Sequence, residues 1–230
     1  MSEVSETQGG EEPLWQPIGK SERRVLGVLV EKAKTTPENY PLSLASLIAG
    51  SNQKSNRAPQ MQLDEDDVVA ALDRLRALGA VREVQGSGRV NKFRHAAYEW
   101  LGVDAAGAAV MAEFLLRGPQ TAGELRARAS RMHDFPDLGS LSETLDQLQS
   151  QGLVQALTPP GRGQTFAHAL YPPDEQQYLA QKVRSDTGDE PVAAHEPRSA
   201  SVPLPWQQRI EQIEEELAEV KRRLDELTQG

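Results

Sequence analysis

The chain contains the same pattern twice, and no other feature limits its possible folds as strongly. Val28-Leu29-Val30-Glu31 returns as Val110-Met111-Ala112-Glu113. Pro41, Ser43 and Leu47 return 78 residues later as Pro119, Thr121 and Leu125. Leu72, Leu75, Gly79, Val81 and Phe93-x-His95-Ala96 return 73 residues later as Leu145, Leu148, Gly152, Val154 and Phe166-x-His168-Ala169. The offset changes by five between the second and third helical patterns. The polar stretch Gln53–Arg57 lies there and reads as an insertion in the first copy. Such a repeat means one supersecondary unit used twice, and 230 residues leave room for two small domains.

The first copy gives the element order. Ser21 caps a helix whose residues Leu26, Leu29 and Val30 share one face, and Pro37 ends it. A short helix follows Pro41, capped by Ser43, with Leu44, Leu47 and Ile48 inward. Asp64-Glu65-Asp66-Asp67 opens a third helix, where acids suit the positive end of the helix dipole. Its stripe is Val68, Ala71, Leu72, Leu75 and Leu78, and Gly79 stops it. Strands over 80–84 and 90–95 flank the turn Gln85-Gly86-Ser87-Gly88-Arg89. Three helices and a β-hairpin are the winged-helix order. The expected fold is therefore mainly α, of the α+β winged-helix kind, with two tandem winged-helix domains and a C-terminal coiled-coil helix.

The expected organisation is a disordered leader over 1–17, winged-helix domains over 18–100 and 101–183, a flexible Pro/Ser/Ala-rich linker over 184–205 and a coiled-coil helix over 206–230. In that last segment Trp206, Ile210, Ile213, Leu217, Val220, Leu224 and Leu227 recur at alternating spacings of four and three. In a parallel dimer this a/d seam would set Arg209 against the partner helix's Glu214, and Glu216 against its Lys221. The seam predicts a homodimer, with packing back onto the chain's own domains as the alternative.

Composition removes several function classes. The chain has no cysteine, which excludes disulfides, thiolate metal sites and cysteine nucleophiles. No apolar run is long enough to span a membrane, and the acidic N-terminus is unlike a signal peptide, so the expected location is cytoplasmic. The net charge of −9 is unevenly spread. Residues 20–100 carry 13 Lys/Arg against 10 Asp/Glu, residues 104–183 carry 6 against 9, and residues 184–230 carry 6 against 11. Contact with a polyanion should be sought in the first copy.

Several long strings resemble the YceH family of bacterial proteins. They include Leu26-Gly27-Val28-Leu29-Val30-Glu31-Lys32, Tyr40-Pro41-Leu42-Ser43-Leu44, Asn52-Gln53-Lys54-Ser55-Asn56-Arg57 and Leu115-Leu116-Arg117-Gly118-Pro119-Gln120-Thr121. The match covers roughly residues 18–171. The resemblance implies tandem winged helices, often followed by a helical C-terminal tail. It implies no activity, because the family is itself essentially uncharacterised.

The candidate contact residues are those that could meet duplex DNA. Gln53, Lys54, Asn56 and Arg57 lead toward the expected recognition helix, with side chains suited to phosphates and base edges. The alternative is a solvated loop whose Asn and Ser side chains close turns. Arg74 and Arg76 lie on the third helix, and Arg89, Lys92 and Arg94 on the hairpin, as wing cations or as charges guarding a strand edge. Four consecutive acids at the start of that helix oppose groove entry. The second copy's third helix, residues 138–151, has no Lys or Arg. His95 and His168 read as strand-end residues serving the fold, and His133 beside Asp134 lacks an activated serine. No catalytic residue, metal or cofactor is expected. The leading expectation is a non-enzymatic, DNA-associated regulatory protein contacting duplex DNA through the first domain. The rival is a scaffold that uses winged helices to dock protein partners.

Overall fold

The computed structural model describes residues 14–85 and 90–179. The expected linker and heptad seam fall outside these residues, as do residues 1–13 of the expected leader and Arg89 in the hairpin turn.

The described chain is a mixed α+β structure, mostly helical, with two small antiparallel sheets. In the first half, α1 (Lys20–Thr35) leads through a 3-10 turn to β1 (Leu42–Ser43), α2 (Leu44–Ser51), α3 (Glu65–Ala77) and the hairpin β2 (Val81–Gln85) and β3 (Asn91–His95). A short α4 (Ala97–Leu101) bridges to the second half, so the expected boundary at residue 100 falls inside a helix. The order then recurs in α5 (Ala105–Arg117), β4 (Gln120–Thr121), α6 (Ala122–Ala129), α7 (Leu138–Ser150), β5 (Val154–Ala156) and β6 (Thr165–His168). Residues 173–179 are helical.

The repeat extends to strand register. The sheets have orders β1-β3-β2 and β4-β6-β5. Leu42 pairs with Phe93 as Gln120 does with Phe166, and Val81 pairs with His95 as Val154 does with His168. The two-residue strands β1 and β4 carry no period-2 signal of their own. Each forms by pairing with the far strand of its hairpin.

Local chemistry sets several helix starts, the expected Ser43 cap among them. The Ser43 hydroxyl accepts from the Ser46 N–H, and Asp64 and Asp67 form a reciprocal capping box on α3. Thr121 and Glu124 do the same on α6. At α1 the expectation needs correction. The helix begins at Lys20 after Gly19, without a side-chain cap, and Ser21 lies in its first turn. Its start is fixed from outside: Ile18 is buried, and its N–H donates to the Leu170 carbonyl at 3.0 Å. Just upstream, Trp15 packs against the core, with a ring carbon 3.8 Å from where a Cβ on Gly152 would stand.

The larger difference concerns the faces of α1. The spacing of Leu26, Leu29 and Val30 predicts one buried stripe, but every residue from Arg23 to Glu31 is buried. α5 is likewise buried from Gly107 to Leu116. A helix covered on all sides is an interior helix. Each of these two packs on its own half and against the other. Gly27 is the closest approach, since a Cβ there would stand 2.9 Å from Leu116 Cγ and 3.2 Å from Leu115 Cβ. One hydrophobic core therefore runs from Ile18 to Leu170 through both halves.

Candidate functional site

Along the α1–α5 contact lies a set of buried charges. Glu31 and Glu113 hold matching places in the two repeats, and both are almost fully buried. A buried carboxylate needs partners. Arg57, after α2, gives Glu31 two hydrogen bonds, with its Nη2 at 2.5 Å from Oε2. Arg131, after α6, reaches in from the rim and bridges both carboxylates, at 2.6 Å from Glu31 and 2.7 Å from Glu113. Arg117 approaches Glu113 at 3.1 Å from Nε, without the alignment of a hydrogen bond. Arg24, buried on α1, donates to the carbonyls of Ser51 and Pro59 at 2.9 and 2.6 Å.

Three guanidinium groups, those of Arg57, Arg117 and Arg131, thus serve two carboxylates. Burial raises the Glu31 carboxyl pKa, but the hydrogen bonds and charges of Arg57 and Arg131 outweigh this and hold it below the ordinary value. Burial, with the repulsion of Arg57, lowers Arg24 to about 10. Arg117 is lowered too, first by burial and then by neighbouring arginines.

This arrangement relocates the residues expected to face DNA. Arg57 is 6% exposed and turned inward, so it has no edge free for a base or phosphate. The Gln53 side-chain carbonyl accepts from Arg57 at 2.9 Å. Asn56 adopts a left-handed φ of 61°, and its side-chain oxygen accepts from Arg117 of the other half. The Ala58 N–H donates to the Leu116 carbonyl at 2.9 Å. Asn52 clamps the strap with a reciprocal pair of bonds to the Leu63 backbone. Within the Asn52–Arg57 stretch Arg57 is buried and turned inward, while Lys54, Ser55 and Asn56 remain exposed. The stretch is a strap joining the halves.

Of the other candidates, Lys54, Arg74 and Arg94 are exposed. Lys92 is half-buried on β3, and shares the outward face of the hairpin with Arg94, which lies directly across from Arg82. Arg76 is engaged by Asp73 and Glu83 at 3.3 and 2.9 Å. In the second half, Arg126 donates to the carbonyls of Phe135 and Pro136, and Arg128 to Gln120 and Glu124.

The positive balance of the first copy is largely internal. Without the buried Arg23, Arg24, Arg57 and Glu31, residues 20–100 carry ten Lys/Arg against nine Asp/Glu. The exposed residues of α3 include Glu65, Asp66, Asp67, Val69 and Asp73 toward its start and Arg74 and Arg76 toward its end, and those of α7 include Glu143, Asp146 and Gln147. Between α3 and the hairpin lies a groove of about 400 Å³. Its floor includes Leu72 and Phe93, and its rim carries the exposed Val69 and Val90 with Asp73 and Glu83.

The two repeated histidines have matching roles. His95 Nδ1 accepts the Ala97 N–H at 3.3 Å, and His168 Nδ1 accepts the Leu170 N–H at 3.1 Å. Burial, then Lys34 and Arg94, lowers His95 to about 4, and burial with Arg23 lowers His168 well below its ordinary value.

The signal that sequence reading missed is a glutamate directly after the matching apolar runs of the two copies, Val-Leu-Val-Glu31 and Val-Met-Ala-Glu113, the second with apolar residues on both sides. A charge at the same position of both copies calls for a buried cation.

Among known proteins, the family model described as "Protein of unknown function, DUF480" matches residues 18–162. A UPF0502 protein of Rhodopirellula baltica is 61% identical over 202 residues, covering 87% of this chain and 85% of its own. A UPF0502 protein of Geobacter sulfurreducens is 50% identical over 153 residues, covering 65% and 70%. One from an Acidovorax strain is 39% identical over 220 residues, covering 92% and 93%. The chain belongs to the DUF480 family of bacterial proteins, whose function is unknown.

Proposed function

We propose that this is a non-enzymatic docking protein, built from two winged-helix units that are held as one body and present acidic outer helices to a basic protein partner. The winged-helix reading rests on the repeated order of helix, short strand, helix, helix and hairpin, and on the first strand pairing with the last. The same reading fits the YceH-like strings of the sequence. Fold alone does not name a ligand, so charge and shape carry the choice.

The observation that carries it is the placement of charge. Three of the thirteen cations that made the first half look suited to a polyanion, Arg23, Arg24 and Arg57, are buried, while α3 and α7 turn acids outward. A helix with Glu65, Asp66 and Asp73 outward would repel phosphate. It would attract a segment rich in Lys and Arg, and complementary charge speeds such encounters. The groove beside Val69 and Val90 gives an apolar side chain of that segment a seat.

Contact with duplex DNA is the second reading. Lys54, Arg74, Lys92 and Arg94 favour it, because they lie in one half and none is engaged as Arg57 is. Fluorescence anisotropy of the full chain with random duplex DNA, over a salt series from low ionic strength, separates the two. The docking reading predicts no salt-steep binding. Binding that weakens steeply with salt, and that falls in the Lys92→Ala/Arg94→Ala variant, would overturn it. A photo-crosslinking residue at Val69 should then trap a protein in cells, and the adduct should fade when Asp66 and Asp73 become asparagine.

A further inference from the structure

A cleft of about 700 Å³ lies beside the joint. Its walls come from both halves: the start of α1, the 58–61 strap, the end of α5, the region of His168 and Tyr171, and the helical 173–179 segment. The volume is in the range of sites that hold small organic molecules. Its lining includes the apolar Met61, Phe114, Leu115, Pro119 and Tyr171. It also includes the charged Lys20, Arg23, Arg24 and Arg117 with Asp174 and Glu175.

These cations are not fully compensated. Arg23 is engaged by Glu175 at 2.6 Å and lies over the Tyr171 ring at 4.7 Å. Arg24 binds only backbone carbonyls through its terminal nitrogens, and its buried Nε has no hydrogen-bond partner among the described residues. Arg117 Nε is buried too, 3.1 Å from the Glu113 carboxylate but without a hydrogen bond to it. A buried donor without an acceptor is costly, and a guanidinium without a matching anion more so. Arg24 is such a donor, and it borders the cleft beside Arg117 in a region where three guanidinium groups share two carboxylates.

We propose that this cleft binds a small organic anion with an apolar body, its acidic group held by Arg24, Arg117 and Lys20 and its body lying on Met61, Phe114 and Leu115. The bound anion neutralises the excess positive charge and bridges the two halves. The site stands on its own observations and does not depend on either reading of the outer helices.

The test uses the full chain and 8-anilino-1-naphthalenesulfonate, an anionic aromatic probe whose fluorescence rises in apolar surroundings. The expected result is saturable binding at one site, with displacement by decanoate. N-phenyl-1-naphthylamine, the same body without the sulfonate, should bind about tenfold more weakly, because it leaves the arginines unpaired. Arg117→Gln should weaken the sulfonate by a similar factor. Lys20→Ala, at an exposed position, should weaken it less, and Met61→Trp should block the site by filling it. Near-UV circular dichroism of each variant verifies its fold. No saturable binding, equal affinity for the uncharged probe, or affinity unchanged in folded Arg117→Gln and Met61→Trp proteins would overturn the proposal.

Discussion

At the residue scale, the two repeated histidines make stability depend on pH. Both are held neutral inside the fold, His95 with a pKa lowered from 6.5 to about 4 and His168 lowered well below 6.5. Above 6.5 the imidazoles are neutral whether the chain is folded or not, and their contribution to stability is fully present. As pH falls through 6.5 the unfolded chain takes up protons that the folded chain refuses. Stability then declines toward the folded value, near 4 for His95. Each histidine can contribute a slope of at most about 1.4 kcal/mol per pH unit. The urea midpoint should therefore fall between pH 7.5 and 5, and fall less in His95→Asn. A midpoint independent of pH over that range would show that these histidines are not held neutral. Glu31 acts in the same direction at lower pH. Its carboxyl, held below the ordinary 4.5 by Arg57 and Arg131 against the effect of burial, releases its contribution only as pH falls below that value.

At the element scale, the α1–α5 contact depends on the absence of a side chain at Gly27. Alanine there would gain up to about 1 kcal/mol of helix propensity, but its Cβ would meet Leu116 Cγ and Leu115 Cβ, neither of which is a free side-chain end. Gly27→Val adds two more carbons to the same place. It should lower the free energy of unfolding by about 2–3 kcal/mol, measured by urea titration. A valine variant as stable as the parent would mean that the helices do not approach so closely. The period of 3.6, the Ser43 cap and the acidic run from Asp64 made α2 and α3 legible from sequence, and the repeat carried the order over to α6. α1 was legible as a helix, but not as one covered on all sides. Its leucines fit a single stripe, and the packing of α2 beside Val28 and of α5 on the Gly27 side explains why the other faces are buried too. The strands β1 and β4 were missed because a two-residue strand exists only through its partner.

At the scale of the whole molecule, the joint decides what the surface can do. The repeat made the two halves visible, and the identical register of Val81–His95 and Val154–His168 agrees with it. The candidate site was less legible. Gln53, Asn56 and Arg57 have the chemistry of nucleic-acid contacts, but Glu31 draws Arg57 inside, and Gln53 and Asn56 bond to Arg57 and Arg117. Residue type reports what a side chain can bind, while tertiary placement decides which partner it meets first. The two halves should accordingly unfold together.

A double-mutant cycle on Glu31 and Arg131 measures this most directly, because the pair spans the halves at 2.6 Å. Urea unfolding of the full chain would be compared for the parent, Glu31→Ala, Arg131→Ala and the double variant. Glu31→Ala alone should cost about 3–5 kcal/mol by leaving Arg57 buried without its carboxylate. The coupling between the two positions should be about 1–2 kcal/mol in a single cooperative transition. Additive effects, or two separate transitions for the two halves, would contradict a joint that holds the molecule as one body.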